Sequence, residues 1–252
     1  MKYIRELRFG PPKCWKTGSI VSSYPRPLLV LNIDNGGLDV VREPIMPIAI
    51  ADFETLCSRV PSALAPISSV DFYDGVQRLI MDAYQPQGNK KSFDSFIKCV
   101  NKLATVGCPW ATVVLDGITG LDDIIKSYNA AVNPGSLGSA LKWASNVGGK
   151  IQQIMGVMCG LPCHVVFISH ASTPTVEEDT TKEIHIGVVM TSKRLRDIAG
   201  GLVSQFFYQC KEGPKTVVYT TDFGFVQGIG ARWPANLPPK VGPTYKDIYE
   251  GR

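Results

Sequence analysis

Phe9-Gly10-Pro11-Pro12-Lys13-Cys14-Trp15-Lys16-Thr17-Gly18 is the stretch on which the reading of this chain turns. Residues 3–9 before it form an apolar-alternating run, which predicts a strand, and residues 19–23 after it carry a short helical pattern. Strand, glycine-led loop, Lys-Thr and helix is the context of a phosphate-binding loop. Backbone N–H groups of such a loop wrap phosphate oxygens, and the helix N-terminus turns its partial positive charge toward them. Gly10, Pro11, Pro12, Lys13, Cys14, Trp15, Lys16, Thr17 and Gly18 are therefore the candidate nucleotide-binding residues. Lys16 is expected to reach the β- and γ-phosphates of ATP, and the Thr17 hydroxyl to ligate Mg²⁺. Trp15 stands where the pattern G-x-x-x-x-G-K-T has its second glycine, which removes conformational freedom and places an indole beside the phosphates. The competing reading is a Pro-rich turn ahead of a surface helix.

Working outward, residues 28–34 (Leu-Leu-Val-Leu-Asn-Ile-Asp) read as a buried parallel strand ending in the turn Asp34-Asn35-Gly36-Gly37. Ligands of doubly wound sheets bind at such carboxyl ends. Residues 111–116 (Ala-Thr-Val-Val-Leu-Asp) form a second acid-ended strand of Walker B type, and the Asp116 carboxylate at its tip is expected to hold Mg²⁺ directly or through water. Many buried strands end in Asp at a turn; the loop upstream gives this one its weight. Residues 163–170 predict a further buried strand with Ser169 and His170 at its polar end. They are placed to sense a γ-phosphate, the alternative being a strand end meeting water.

Between these, strands are expected at 48–50 and 69–73, and helices at 52–60, 121–131 and 139–159. A helix over 92–104 is capped by Ser92, with Phe93, Phe96, Ile97, Val100 and Leu103 at three- and four-residue spacing. Asp122 and Asp123 sit near a helix start, where the dipole favours acids. Residues 171–190 suggest a hairpin with an acidic tip at Glu177-Glu178-Asp179. Lys193, Arg194 and Arg196 then open a helix to about Gly200, where their charge opposes the dipole and asks for an incoming phosphate, an acidic partner or plain solvation. Strands at 203–210 and 216–221 flank a Glu212-Gly213-Pro214 hairpin, and 223–229 adds a further strand. The Pro-rich residues 234–252 read as an extended arm beside a domain spanning 1–233.

The 252 residues suit one α/β domain, and 44% hydrophobic with 19% charged residues is the balance of a globular core. A net charge of +4 permits nucleic-acid binding without demanding it. Seven scattered cysteines read as reduced thiols of a cytoplasmic protein. Cys159, Cys163 and His164 approach metal-ligand spacing, but no second cluster completes four ligands, so they are read as core. No apolar run reaches membrane-spanning length, and the N-terminus lacks the layout of a signal peptide.

The ordered set of Gly10-Pro11-Pro12-Lys13 with Lys16-Thr17, the segment 31–37, the segment 113–117 and Arg194-Leu195-Arg196 resembles the RecA-type ATPase core. More narrowly, over residues 3–232 it is similar to the small single-domain RecA-like recombination ATPases encoded by bacteriophages. That resemblance implies a mainly parallel sheet flanked by helices with C-terminal antiparallel strands, bound ATP and Mg²⁺, and a homo-oligomeric ring or filament. It further implies action on single-stranded DNA in annealing or exchange, and location in the host cytoplasm. By the same resemblance Lys16, Thr17 and Asp116 take the phosphate and metal roles, Ser169 and His170 the sensor position, and Lys193, Arg194 or Arg196 (less so Arg232) a finger from a neighbouring subunit. Asn35 stands where the family places a water-orienting glutamate; asparagine bonds a water but does not accept its proton, and Asp34 is the substitute to hand.

Three functional readings follow. The first is a DNA-acting ATPase with slow or DNA-stimulated turnover, for which Lys90, Lys91, Lys126, Tyr128 and Lys142 are dispersed candidate DNA contacts. The second is a nucleotide-gated assembly or loader protein that binds ATP with little hydrolysis, favoured by Trp15 and Asn35. The third, a small-molecule kinase, has only residues 193–196 to offer as a lid.

Overall fold

The structure is a computed structural model and describes residues 3–33, 45–48, 76–80, 90–105, 108, 110–132, 140–172, 186–189, 199–234 and 236–250. In chain order these give β1 (Arg5–Gly10), α1 (Lys16–Ser23), β2 (Leu28–Asn32), β3 (Ile45–Ile48), β4 (Val76–Ile80), α2 (Lys90–Thr105) and β5 (Thr112–Asp116). Then follow α3 (Ile118–Val132), α4 (Ala140–Cys159), β6 (His164–His170), β7 (Gln205–Glu212), β8 (Lys215–Tyr219), β9 (Gly230–Ala231), β10 (Lys240–Val241) and a π-helical turn, Lys246–Glu250. The strands form one sheet in the order β3-β4-β2-β5-β6-β1-β7-β8-β10, with β9 beside β7. β3 to β7 pair in parallel, and β8, β9 and β10 antiparallel. The expected α/β architecture, mainly parallel with antiparallel C-terminal strands, is present.

Alternation along the central strands sorts side chains onto two faces. Leu29, Leu31, Val113, Leu115, Val165, Phe167, Leu7 and Phe9 join one core with Phe96 and Val100 of α2, Leu121 and Ile125 of α3, and Ile151 and Met155 of α4. Leu28, Val30, Val114, Val166 and Ile168 join the other with Ile20, Val21 and Tyr24 of α1. Strands apolar on both faces read as continuous hydrophobic runs, which is why β2, β5 and β6 were plain in the sequence. Each such side chain fully withdrawn from water contributes roughly 1.5–3 kcal/mol before the entropy of ordering it. The parallel registers bring Gly10 beside His170, and Asn32 beside Asp116, along one edge of the sheet.

The second face is where the sequence reading falls short. α1 has only eight residues, and beside it the face carries Glu6 and Arg8, both fully buried. Residues 234–252, expected as an extended arm, carry β10 and the π-helical turn, and the turn covers that face. Tyr245 and Tyr249 pack against Tyr24, with ring centroids 5.2 and 6.3 Å away. The prolines masked a short amphipathic spacing, Tyr245, Ile248 and Tyr249, that only a covered partner face explains.

Other boundaries differ for local reasons. The strand expected at 69–73 lies outside the described residues, and a strand not expected from the sequence, Val76–Ile80, has an apolar run interrupted by Gln77 and Arg78. Of the strand expected at 48–50 only Ile48 is described, at the end of Ile45–Ile48, whose Pro47 is accommodated where pairing is to β4 alone among the described residues. Ser92 lies inside α2, which starts at Lys90. Residues 223–229 form a tight turn in which Phe223 and Val226 exchange backbone hydrogen bonds, not a strand. At the base of the expected 171–190 hairpin, Ala171 and Val188 form an antiparallel bridge. The helix expected at 52–60, the acidic tip at 177–179, Asp34, Asn35, Lys193, Arg194 and Arg196 lie outside the described residues.

Candidate functional site

β1 ends at Gly10 because its neighbour β7 comes too close for any other residue: a Cβ there would lie 1.9 Å from the Gln209 carbonyl oxygen. The chain then turns through Pro11 and Pro12 and enters α1. Two residues of the turn, Lys13 (φ 60°) and Trp15 (φ 63°), adopt the left-handed conformation. For residues with a Cβ this costs about 1 kcal/mol or more each. Alternating left-handed residues point successive N–H groups to one side, the geometry of an anion-binding concavity. Trp15 is also the N-cap of α1, and its side chain makes no capping hydrogen bond, so it leaves the first-turn N–H groups to other partners.

Lys16 is the first residue of the helix and its side chain folds back into the loop. The ammonium donates to the carbonyls of Gly10 (2.9 Å) and Pro11 (2.7 Å) and sits 3.6 Å from Cys14 Sγ. A nearly buried ammonium is thus turned into the loop, with two loop carbonyls among its partners. Cys14 Sγ donates to the Pro11 and Gln209 carbonyls. Burial pushes the Cys14 thiol above its ordinary range while nearby Lys16 pulls it down, and the net shift is upward, so the thiol is neutral at pH 7.

Thr17 Oγ1 donates to Asp116 Oδ2 at 3.0 Å, joining the start of α1 to the tip of β5. Asp116 is nearly buried and lies in register with Asn32. The structure therefore brings Gly10, Pro11, Cys14, Lys16, Thr17 and Asp116 into one constellation at the carboxyl edge of the parallel strands. Ser169 and His170 end β6, which lies between β1 and β5. The Ser169 hydroxyl lies 3.3 Å from Thr119 Oγ1 of α3 and has the strand parity of Val165 and Phe167, the face away from α1. The His170 backbone N–H donates to the same Thr119 hydroxyl, and His170 shares the parity of Val166 and Ile168 on the α1 face. Of the two expected sensors, only His170 is on the side of Lys16.

Several residues that support the loop were not picked out from the sequence. Gln209, fully buried on β7, donates through Nε2 to the Cys14 carbonyl at 2.8 Å and accepts from Arg8 (3.2 Å) and Ser19 (3.4 Å). Fixing that carbonyl toward β7 turns the N–H of the following residue, Trp15, the opposite way, because the peptide is planar and trans. Arg8 in turn donates to Glu6 (2.6 Å), to the Tyr24 hydroxyl (2.8 Å) and to the Pro243 carbonyl (2.8 Å). Tyr24 and Tyr249 both donate to Glu6 Oε2. A polar chain thus runs from the C-terminal segment through Arg8 and Gln209 to the loop. Its only sequence signal was Gln209 set in the apolar run of β7.

Three of the remaining candidates, Lys126, Tyr128 and Arg232, are engaged elsewhere. Lys126 pairs with Asp122 (2.8 Å) and Asp123 (2.7 Å), which answers those acids more directly than the helix dipole does. Tyr128 packs on Phe93 and under the Lys150 ammonium, 4.3 Å from its ring centre, so it is no open stacking platform. Arg232 donates to the Gly201 carbonyl beside β9, which pairs with the start of β7, the end away from Gly10. His164 accepts the Ile4 N–H through Nδ1, Cys163 lies 3.4 Å from Cys108, and Cys159 donates to the Leu202 carbonyl. No helix among the described residues is long and apolar enough to cross a membrane. Neither a protein-family model nor a curated protein matches this chain.

Proposed function

We propose that the chain is an ATP-binding, RecA-like protein that hydrolyses ATP slowly or on stimulation by single-stranded DNA, and that it works as a homo-oligomer in strand annealing or exchange. The observation that carries the nucleotide reading is the Thr17–Asp116 hydrogen bond, with Lys16 folded into the loop beside it. Thr17 and Asp116 offer the two hard oxygens that suit Mg²⁺, which when bound would neutralise phosphate charge. Lys16, held by two carbonyls, exchanges them for phosphate oxygens, which are stronger acceptors because they are charged. His170 is the sensor candidate, and a cation from residues 193–196 of a second copy is the finger. Oligomer and DNA action rest on the resemblance of the motifs.

The alternative, a nucleotide-gated assembly protein with little turnover, is favoured by one observation: Ser169 is bonded toward Thr119 on the other face of the sheet, leaving fewer polar groups near the phosphates. ATP turnover by the purified protein, with and without single-stranded DNA and with Lys16→Ala as control, separates the two. Low basal turnover, raised by DNA and lost in the variant, supports the first. ATP binding without turnover and indifferent to DNA supports the second, and absence of binding ends both.

A further inference from the structure

Trp15 occupies a backbone conformation that glycine would adopt without strain, so the loop does not need an indole to make its turn. Its ring has a built seat. A Cβ on Gly18 would fall 2.0 Å from the indole Nε1, so the ring lies against the first turn of α1 in space that only a glycine leaves open. Yet it remains 42% exposed. It forms one wall of a groove of about 640 Å³ that runs from the loop toward the β8–β10 side of the sheet, where Lys215, Thr216, Lys240, Val241 and Gly242 line it. The groove lies within the size range of small-ligand sites. Of its two ammonium groups, Lys240 is already paired with Glu212 at 2.7 Å.

We infer that this groove is a nucleobase subsite, in which the base of the nucleotide stacks on the Trp15 indole while its phosphates occupy the loop. The inference rests on the nucleotide-binding reading above. The phosphate end of the ligand is fixed by Lys16, and Trp15 is its immediate chain neighbour, so a base extending from the loop toward β8 and β10 meets the indole on its way. An aromatic face, apolar Val241 and backbone polar groups suit a flat, uncharged heterocycle. Stacking on indole is tolerant of base identity, because every base has a π-face. The subsite therefore favours nucleotides over inorganic polyphosphate without selecting strongly among the bases.

The test compares ATP with inorganic tripolyphosphate, both with Mg²⁺, by calorimetric titration of the full chain and of Trp15→Gly and Trp15→Phe. Glycine suits the left-handed backbone, and Phe retains a smaller ring. The expected result is a loss of ATP affinity in Trp15→Gly of roughly ten- to a hundredfold, an intermediate loss in Trp15→Phe, and tripolyphosphate affinity changed less than about twofold. Quenching of tryptophan emission by ATP in the native chain is expected to disappear in Trp15→Gly. Equal losses for both ligands would assign Trp15 to loop geometry, and unchanged or tighter ATP binding would show that nothing stacks there; each overturns the subsite. If the native chain bound neither ligand, the nucleotide reading itself would fall; ordinary tripolyphosphate binding with an ATP affinity blind to Trp15 would remove the subsite alone.

Discussion

Thr17 Oγ1 and Asp116 Oδ2, 99 residues apart in sequence, meet at 3.0 Å where the first helix begins and the fifth strand ends. In Asp116→Asn the side-chain oxygen still accepts from Thr17 but carries no charge for a cation. Affinity for ATP in the presence of Mg²⁺ is expected to fall at least tenfold or so, while affinity in EDTA stays near native. Calorimetric titration under the two conditions checks this; an equal fall in both would place Asp116 in the fold and not at a metal.

Trp15 and Gly18 form a mutually dependent pair, and a double-mutant cycle on stability exposes it. Gly18→Ala alone is expected to destabilise, because the new methyl displaces the indole. In the Trp15→Gly background the same change removes a helical glycine without a clash and is expected to stabilise by about 0.5–1 kcal/mol. Denaturant melts of the four proteins measure the coupling; additive effects would mean the ring is not seated on Gly18.

Gly10→Ala meets backbone where Gly18→Ala meets a movable side chain. The Gln209 carbonyl 1.9 Å from the added Cβ belongs to the paired strand β7, so relief requires moving the sheet. A loss of about 3 kcal/mol or more is expected, at the upper end of overpacking costs. A melting temperature within a degree or two of native would refute the close approach.

Arg8→Met leaves Glu6 without its ion pair in a fully buried setting, and a loss of about 3–5 kcal/mol is expected. Tyr249→Phe removes one of several hydrogen bonds to Glu6 and should cost less, about 1.5–3 kcal/mol. The ranking is the test: a Tyr249→Phe loss exceeding that of Arg8→Met would mean that the C-terminal segment contributes mainly by packing.

Burial, with Glu6 adding to it, holds the phenols of Tyr24 and Tyr249 well above the ordinary tyrosine range. A group whose pKa is raised on folding contributes stability that is complete below its unfolded value and is lost as pH rises toward its folded value. The melting temperature is therefore expected to hold near neutral pH, to begin to fall at about 8.5 as unfolded cysteines ionise while buried thiols such as Cys14 are held up, and to decline further above about 10, where unfolded tyrosines ionise. In Tyr249→Phe the decline should be shallower; an identical slope would exclude this phenol as its source.

The parts legible in the sequence were those whose pattern follows from local surroundings. β2, β5 and β6 announced themselves because both faces are apolar, and α2 because Phe93, Phe96, Val100 and Leu103 repeat at helical spacing. Lys16, Thr17 and Asp116 were found because their chemistry has a fixed order along the chain. The supporting shell was not legible. Gln209, Arg8 and Glu6 matter through partners some 200 residues distant, and a polar residue in a strand carries no mark of which way it bonds. Tyr245 and Tyr249 were hidden for a related reason: they complete a face made by the other end of the chain.

β1 stands in the middle of the sheet, and its two neighbours come much later in the chain. Ile4 bonds a residue 160 positions on, and Arg5 one 200 positions on. During synthesis the strand that leads into the loop must therefore wait, unpaired, until β6 and β7 have emerged from the ribosome. Loop closures of that length are slow to form, so the nascent chain spends its longest interval with an incomplete sheet centre. Until then Leu7 and Phe9, fully buried in the finished sheet, stay open to a chaperone.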